Sequence, residues 1–149
     1  MKKDFTRDYA TAALRLYAAL GKPTYEAASK RVYNKAIAKY DYINPAEAVA
    51  QAEIAVAKST PVLLDILAVN ETLAMLEKGG KPYICRALQA VYFIQPSKPL
   101  RKGDILSRVL RYSLSVPTDE RTVYRWLKEG RDLFTALRGL RINDGVCCQ

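Results

Sequence analysis

Four side chains near the end of the chain carry the most specific chemistry. Arg121, Tyr124, Arg125 and Lys128 lie in the run Asp119-Glu120-Arg121-Thr122-Val123-Tyr124-Arg125-Trp126-Leu127-Lys128. At about 100° per residue, with Val123 set to zero, Leu127, Gly130, Phe134 and Leu137 fall within about 40° of it. Arg121, Arg125 and Lys128 fall on the opposite face and Tyr124 at its border, near 100°. The apolar stripe would seat this helix on its own domain and leave a basic, aromatic face outward. Such a face suits double-stranded DNA: arginine pairs bidentately with guanine edges, and lysine and tyrosine reach phosphates. The N-terminal end of a helix also favours phosphate. Asp132 lies on the same face, one turn beyond Lys128, and limits how far a polyanion contact extends.

Other chemistry is sparse. The 149 residues contain no histidine, so there is no imidazole base, no Ser-His-Asp triad and no His-based zinc site. Cys85, Cys147 and Cys148 are too few for an all-cysteine zinc site and fit no disulfide framework. Cys85 reads as a small core residue. Asp119-Glu120 reads as a helix start, where acids complement the dipole, rather than as an acid/base pair. Gly79-Gly80-Lys81 lacks the spacing of a phosphate loop and reads as a helix break. No catalytic residue, metal ligand or cofactor is expected, and the chain reads as a binder rather than an enzyme.

The charge supports a polyanion partner. The net charge is +9. Residues 1–80 hold 11 basic and 9 acidic side chains, whereas residues 81–149 hold 13 and 6, so the excess belongs to the C-terminal part. Lys98, Arg101 and Lys102 add three cations in a Pro/Gly-rich loop, 95–103, where they could touch phosphates. No run approaches the ~20 apolar residues of a membrane span, and no signal peptide is read. The expectation is a cytoplasmic protein without a membrane partner.

The elements that must position these residues all read as helices. Segment 4–20 stops at Gly21 and Pro23. Segment 24–39 is rich in Ala, Lys and Tyr. Asn44-Pro45 opens a helix to Lys58, and Thr60-Pro61 repeats that device for a helix to Lys78. Lys81-Pro82 opens the next, with Ile84, Ala87, Leu88, Val91 and Tyr92 as its stripe and an end at Gln95-Pro96. Asp104 is placed to cap a helix to 114, where Ile105, Leu106, Val109 and Leu110 share a face. A turn containing Pro117 leads to the last helix, 119–140, which Gly139 is expected to fray. Trp126 sits at the edge of the apolar stripe and reads as core. The eight-residue spacing of Tyr9, Tyr17, Tyr25 and Tyr33 is no repeat, because Gly21 and Pro23 interrupt it.

Helix 104–114, a turn and an outward-facing helix form the order of a helix-turn-helix. Arg121-Thr122-Val123-Tyr124-Arg125-Trp126-Leu127 resembles the recognition-helix start of sigma-factor region-4-like proteins. The whole order resembles small phage and prophage late-gene activators, with Val91-Tyr92-Phe93 in place of the aromatic pair that ends the helix before the motif. The likeness covers residues 83–140. It departs at Pro117-Thr118, two extra residues before Asp119, which predict a longer turn.

The resemblance implies an all-α protein with an N-terminal helical bundle (1–80), a helix-turn-helix domain (81–142) and a flexible tail (143–149). It implies a transcriptional regulator that binds double-stranded DNA through Arg121, Tyr124, Arg125 and Lys128. RNA polymerase contact and a homodimer through the N-terminal helices are further expectations. The rival expectation is a helical protein–protein interaction module, such as a phage assembly or adaptor protein, without DNA binding.

Overall fold

The computed structural model describes residues 4–40 and 44–140, and among these it is all-helical, with seven helices and no strand. They are α1 (Phe5–Ala19), α2 (Tyr25–Tyr40), α3 (Pro45–Lys58), α4 (Thr60–Lys78), α5 (Pro82–Tyr92), α6 (Asp104–Ser115) and α7 (Glu120–Arg138). The tail expected to be flexible, with Cys147 and Cys148, lies outside the described residues.

Local chemistry sets most helix ends. The Asp4 carboxylate accepts from the Arg7 backbone N–H at 2.9 Å and starts α1. The Asn44 side chain accepts from Ala46 and Glu47 N–H at 3.0 and 3.3 Å, with Pro45 first in α3. Each such bond satisfies an N–H that the first turn leaves unpaired. Gly139, at φ 77°, stops α7 in a left-handed conformation that a side chain would disfavour, so the helix ends at Arg138 rather than fraying towards residue 140.

Three sequence expectations need correction. Thr60 does not cap α4: it is already helical, and its hydroxyl donates back to the Ala57 carbonyl at 2.8 Å. Ser59 alone separates α3 from α4, and the Leu63 N–H bonds the Ser59 carbonyl at 3.0 Å. Asp104 does not cap α6 either. It is the first helical residue, Gly103 holds the cap position, and the Asp104 carboxylate reaches back to the Arg101 N–H at 2.8 Å. A carboxylate that closes the preceding loop is unavailable to the helix start. Finally, α5 ends at Tyr92, three residues before the Gln95-Pro96 expected to end it.

The core draws on six of the helices, with α2 contributing only Ala28. Ala10, Leu14, Leu63, Ile66, Val69, Ile84, Leu88, Val91, Val109, Val123, Leu127 and Phe134 are buried in one cluster that runs across the Gly79-Gly80 break. Full burial of a side chain such as Leu14 or Phe134 contributes about 1.5–3 kcal/mol. Gly130 permits a close approach within it: a Cβ there would meet Leu88 side-chain carbons at 2.8–3.2 Å. A polar knot closes the far end. Asp65 on α4 accepts from Arg138 Nε at 2.7 Å and from the Tyr9 hydroxyl at 2.8 and 2.9 Å. Burial, then the Asp65 carboxylate, pushes the Tyr9 hydroxyl pKa up. In contrast, α2 and α3 pack chiefly on each other. Ala28, Ala48 and Ala52 are their only buried residues.

Candidate nucleic-acid interface

The connection between α6 and α7 is four residues, Val116 to Asp119. The α6 end is tied off twice: Val116 N–H bonds the Tyr112 carbonyl at 3.1 Å, and Thr118 N–H bonds the Ser113 carbonyl at 3.0 Å. Pro117 offers no N–H and sits between them without cost to the pattern. Asp119 then caps α7, accepting from Thr122 N–H at 2.8 Å. This assigns Asp119 the capping role expected of it. The Thr122 hydrogen bonds hold the Asp119 carboxyl below its usual range, helped by the charges of Arg121 and Arg125.

On α7 the expected division of faces is present. Val123, Leu127, Gly130 and Phe134 are buried, while Arg121, Tyr124, Arg125 and Lys128 are exposed. Neither Arg121 nor Arg125 is held by a hydrogen bond or ion pair among the described residues. Lys128 is held, by Asp132 at 2.7 Å across one turn. Its charge is therefore partly neutralised locally, as the sequence position of Asp132 foretold. Trp126 is half-buried and packs on Tyr83 with ring centroids 5.0 Å apart, an extension of the core rather than a free stacking surface.

The expected site residues do not form one patch. Arg125 and Lys128 flank Trp126 together with Lys81, which is bound to Glu129 at 2.7 Å. Tyr124 lies on the other flank, where it shares a cleft with Lys98. Arg101 and Lys102 are exposed near the start of α6, and Arg101 shares a small depression with Lys98. The cations thus surround the exposed face of α7 on two sides instead of lining a single stripe.

The face expected to be apolar on α6 divides. Ile105 and Val109 turn inward, but Leu106 and Leu110 are 47% and 39% exposed, and Leu114, one turn further, is 83% exposed. The side chains at 106, 110 and 114 follow one another at four-residue steps, so an apolar stripe faces solvent.

Two arginines that sequence reasoning passed over organise the loop before α6. Arg15 on α1 is only 8% exposed, and its guanidinium donates to the carbonyls of Tyr92, Ile94, Gln95 and Lys98. Burial, then repulsion from Arg108, lowers the Arg15 pKa, and Asp104 partly offsets this. An arginine remains charged regardless. Arg108 on α6 donates to the Val91 carbonyl at 2.9 Å. The C-terminal carbonyls of α5 and the loop after it are thereby satisfied by cations, the arrangement the helix dipole favours. Arg131, on α7 itself, is a third omission. It falls at about 80° on the wheel, beside Tyr124, one heptad further. That position was its sequence signal.

Compared with protein-family models, curated proteins and solved structures, the chain matches none of them. Among the described residues, no helix is long and apolar enough to cross a membrane.

Proposed function

We propose that α6, the four-residue connection and α7 act as a helix-turn-helix, and that the protein is a sequence-specific, DNA-binding transcriptional regulator of the phage or prophage late-gene type. One observation carries the reading. Arg121, Tyr124 and Arg125 stand exposed on the first two turns of α7, while Val123 and Leu127 on the opposite face are buried. A helix anchored by one face and free on the other can enter a major groove with its guanidinium groups at base edges. Lys98, Arg101 and Lys102 then serve as phosphate contacts outside the groove. No covalent chemistry is required. The reading gives the N-terminal helices to a homodimer or to RNA polymerase contact, and places the protein in the cytoplasm.

The test is fluorescence anisotropy with labelled duplexes at low and at physiological salt. Binding is expected to weaken steeply with salt, as counterion release demands. Arg125→Ala is expected to weaken it by about 10- to 100-fold and to relax preference at one base pair. Failure to bind any duplex at low salt refutes the proposal. Unchanged affinity in Arg125→Ala refutes the assigned face.

A second reading has its own observation. The exposed Leu106, Leu110 and Leu114 stripe favours a helical protein–protein interaction module. Duplex binding separates the two readings.

A further inference from the structure

A cleft of about 830 Å³ opens between α1, the loop after α5 and the first two-thirds of α7. Its walls are mostly apolar, with Leu16 and Ala12 of α1 facing Pro96, Pro99, Leu100 and Ile105. Its charged lining is one-sided: Arg7, Arg15, Lys98 and Arg131 against Asp8 alone. A concave, mostly apolar cleft of this size with a few converging polar groups is the usual form of a small-molecule site.

The polar groups are unequally used. Arg7 and Asp8 face each other at 3.6 Å. Arg15 is committed to four carbonyls. Arg131 makes one hydrogen bond, from Nη1 to the Tyr92 hydroxyl oxygen at 2.7 Å. Asp4 is close enough for the Arg131 charge to help lower its carboxyl pKa, after the dominant Arg7 and Thr6 hydrogen bonds. Its carboxylate already receives Thr6 Oγ1 and Arg7 N–H at 2.9 Å each. Tyr92 is 2% exposed, and its hydroxyl spends a lone pair on Arg131, so its proton is free to be donated elsewhere. No acceptor for that proton stands among the described residues.

We propose that this cleft binds a small organic anion, a carboxylate or phosphate on an apolar body. The oxyanion is received jointly by the Arg131 guanidinium and the Tyr92 hydroxyl. Both donors are already oriented by their mutual hydrogen bond, and the Tyr92 hydroxyl belongs to a buried side chain. The apolar body lies against Leu16, Pro96 and Ile105. A phosphate on a duplex backbone would make no use of those apolar walls, which is why the geometry points to a discrete molecule. The proposal does not depend on DNA binding.

The test uses the full chain and three probes: 2-naphthoate, the uncharged 2-naphthalenemethanol and inorganic phosphate. Each is titrated by amide NMR. 2-Naphthoate is expected to saturate, with shifts confined to residues 92–100, Ile105 and the α1 and α7 positions that line the cleft. The alcohol and inorganic phosphate are each expected to bind at least about tenfold more weakly, since each lacks half of the recognition. Tyr92→Phe keeps the ring and the fold, and is expected to weaken naphthoate about three- to tenfold. Arg131→Met is expected to weaken it by about tenfold or more. Naphthoate binding no tighter than the alcohol, shifts elsewhere on the molecule, or an unaffected Tyr92→Phe variant would overturn the proposal. Inorganic phosphate binding as tightly as naphthoate would overturn the organic part of it.

Discussion

The α2–α3 hairpin and the α5–α7 pair are both helix-on-helix packings, but they are built from different material. On α5 and α7, Leu88, Val91, Val123 and Leu127 are fully buried, and Gly130 of α7 lies directly against the Leu88 side chain. Between α2 and α3 only alanines are buried. Alanine permits close approach and has the highest helix propensity, yet it removes little apolar area from water. Helix content is therefore a poor guide to where stability resides. The hairpin is expected to open at lower free energy than the core. The candidate interface and the cationic cleft both sit on the stable side.

Mutations can break that contrast, and the largest effect is expected in the core. Phe134→Ala removes a fully buried ring and should destabilise the whole chain by about 3–5 kcal/mol in denaturant melts. Gly130→Ala should cost about 1–3 kcal/mol, because Leu88 is itself fully buried and cannot move aside freely. A neutral Gly130→Ala would mean that Leu88 yields to the added methyl and that α5 and α7 are not tightly apposed there. Ala52→Gly in α3 should cost about 1 kcal/mol by helix propensity. Its effect on amide exchange should stay within α2 and α3, with the core unchanged. A global acceleration of exchange, or unfolding, in that variant would show the hairpin and core to be one cooperative unit.

The smallest effect concerns the start of α7. Asp119 has a carboxyl pKa lowered by its cap, so its stabilising contribution is fully present above the usual carboxylate range near 3.8. It is lost as pH falls through the lower folded value. Asp119→Ala should speed amide exchange in the first turn of α7, and Asp119→Asn should retain the cap without this pH dependence. An Asn variant with the parent's acid profile would remove Asp119 as the titrating group.

Much of this was legible along the chain, for a local reason. Asn44-Pro45, Asp119 and the break at Gly79-Gly80 act through neighbouring backbone atoms, so their sequence is their mechanism. The inward face of α7 was equally legible because a 3.6-residue period is written in residue order. Thr60 and Asp104 failed as caps because each has a competing local partner, the Ala57 carbonyl and the Arg101 N–H. Side chains with two short-range options cannot be assigned from composition.

The sequence by itself determined that the chain is helical, where most helices begin, and that α7 carries an apolar face opposite a basic one. These follow from interactions within a few residues. Only the tertiary structure decided that Arg15 closes a loop nearly eighty residues away, that Leu106, Leu110 and Leu114 stay exposed, and that Tyr92 and Arg131 meet at a cleft. Those outcomes depend on which surfaces pack together, and packing compares distant segments that no local pattern relates.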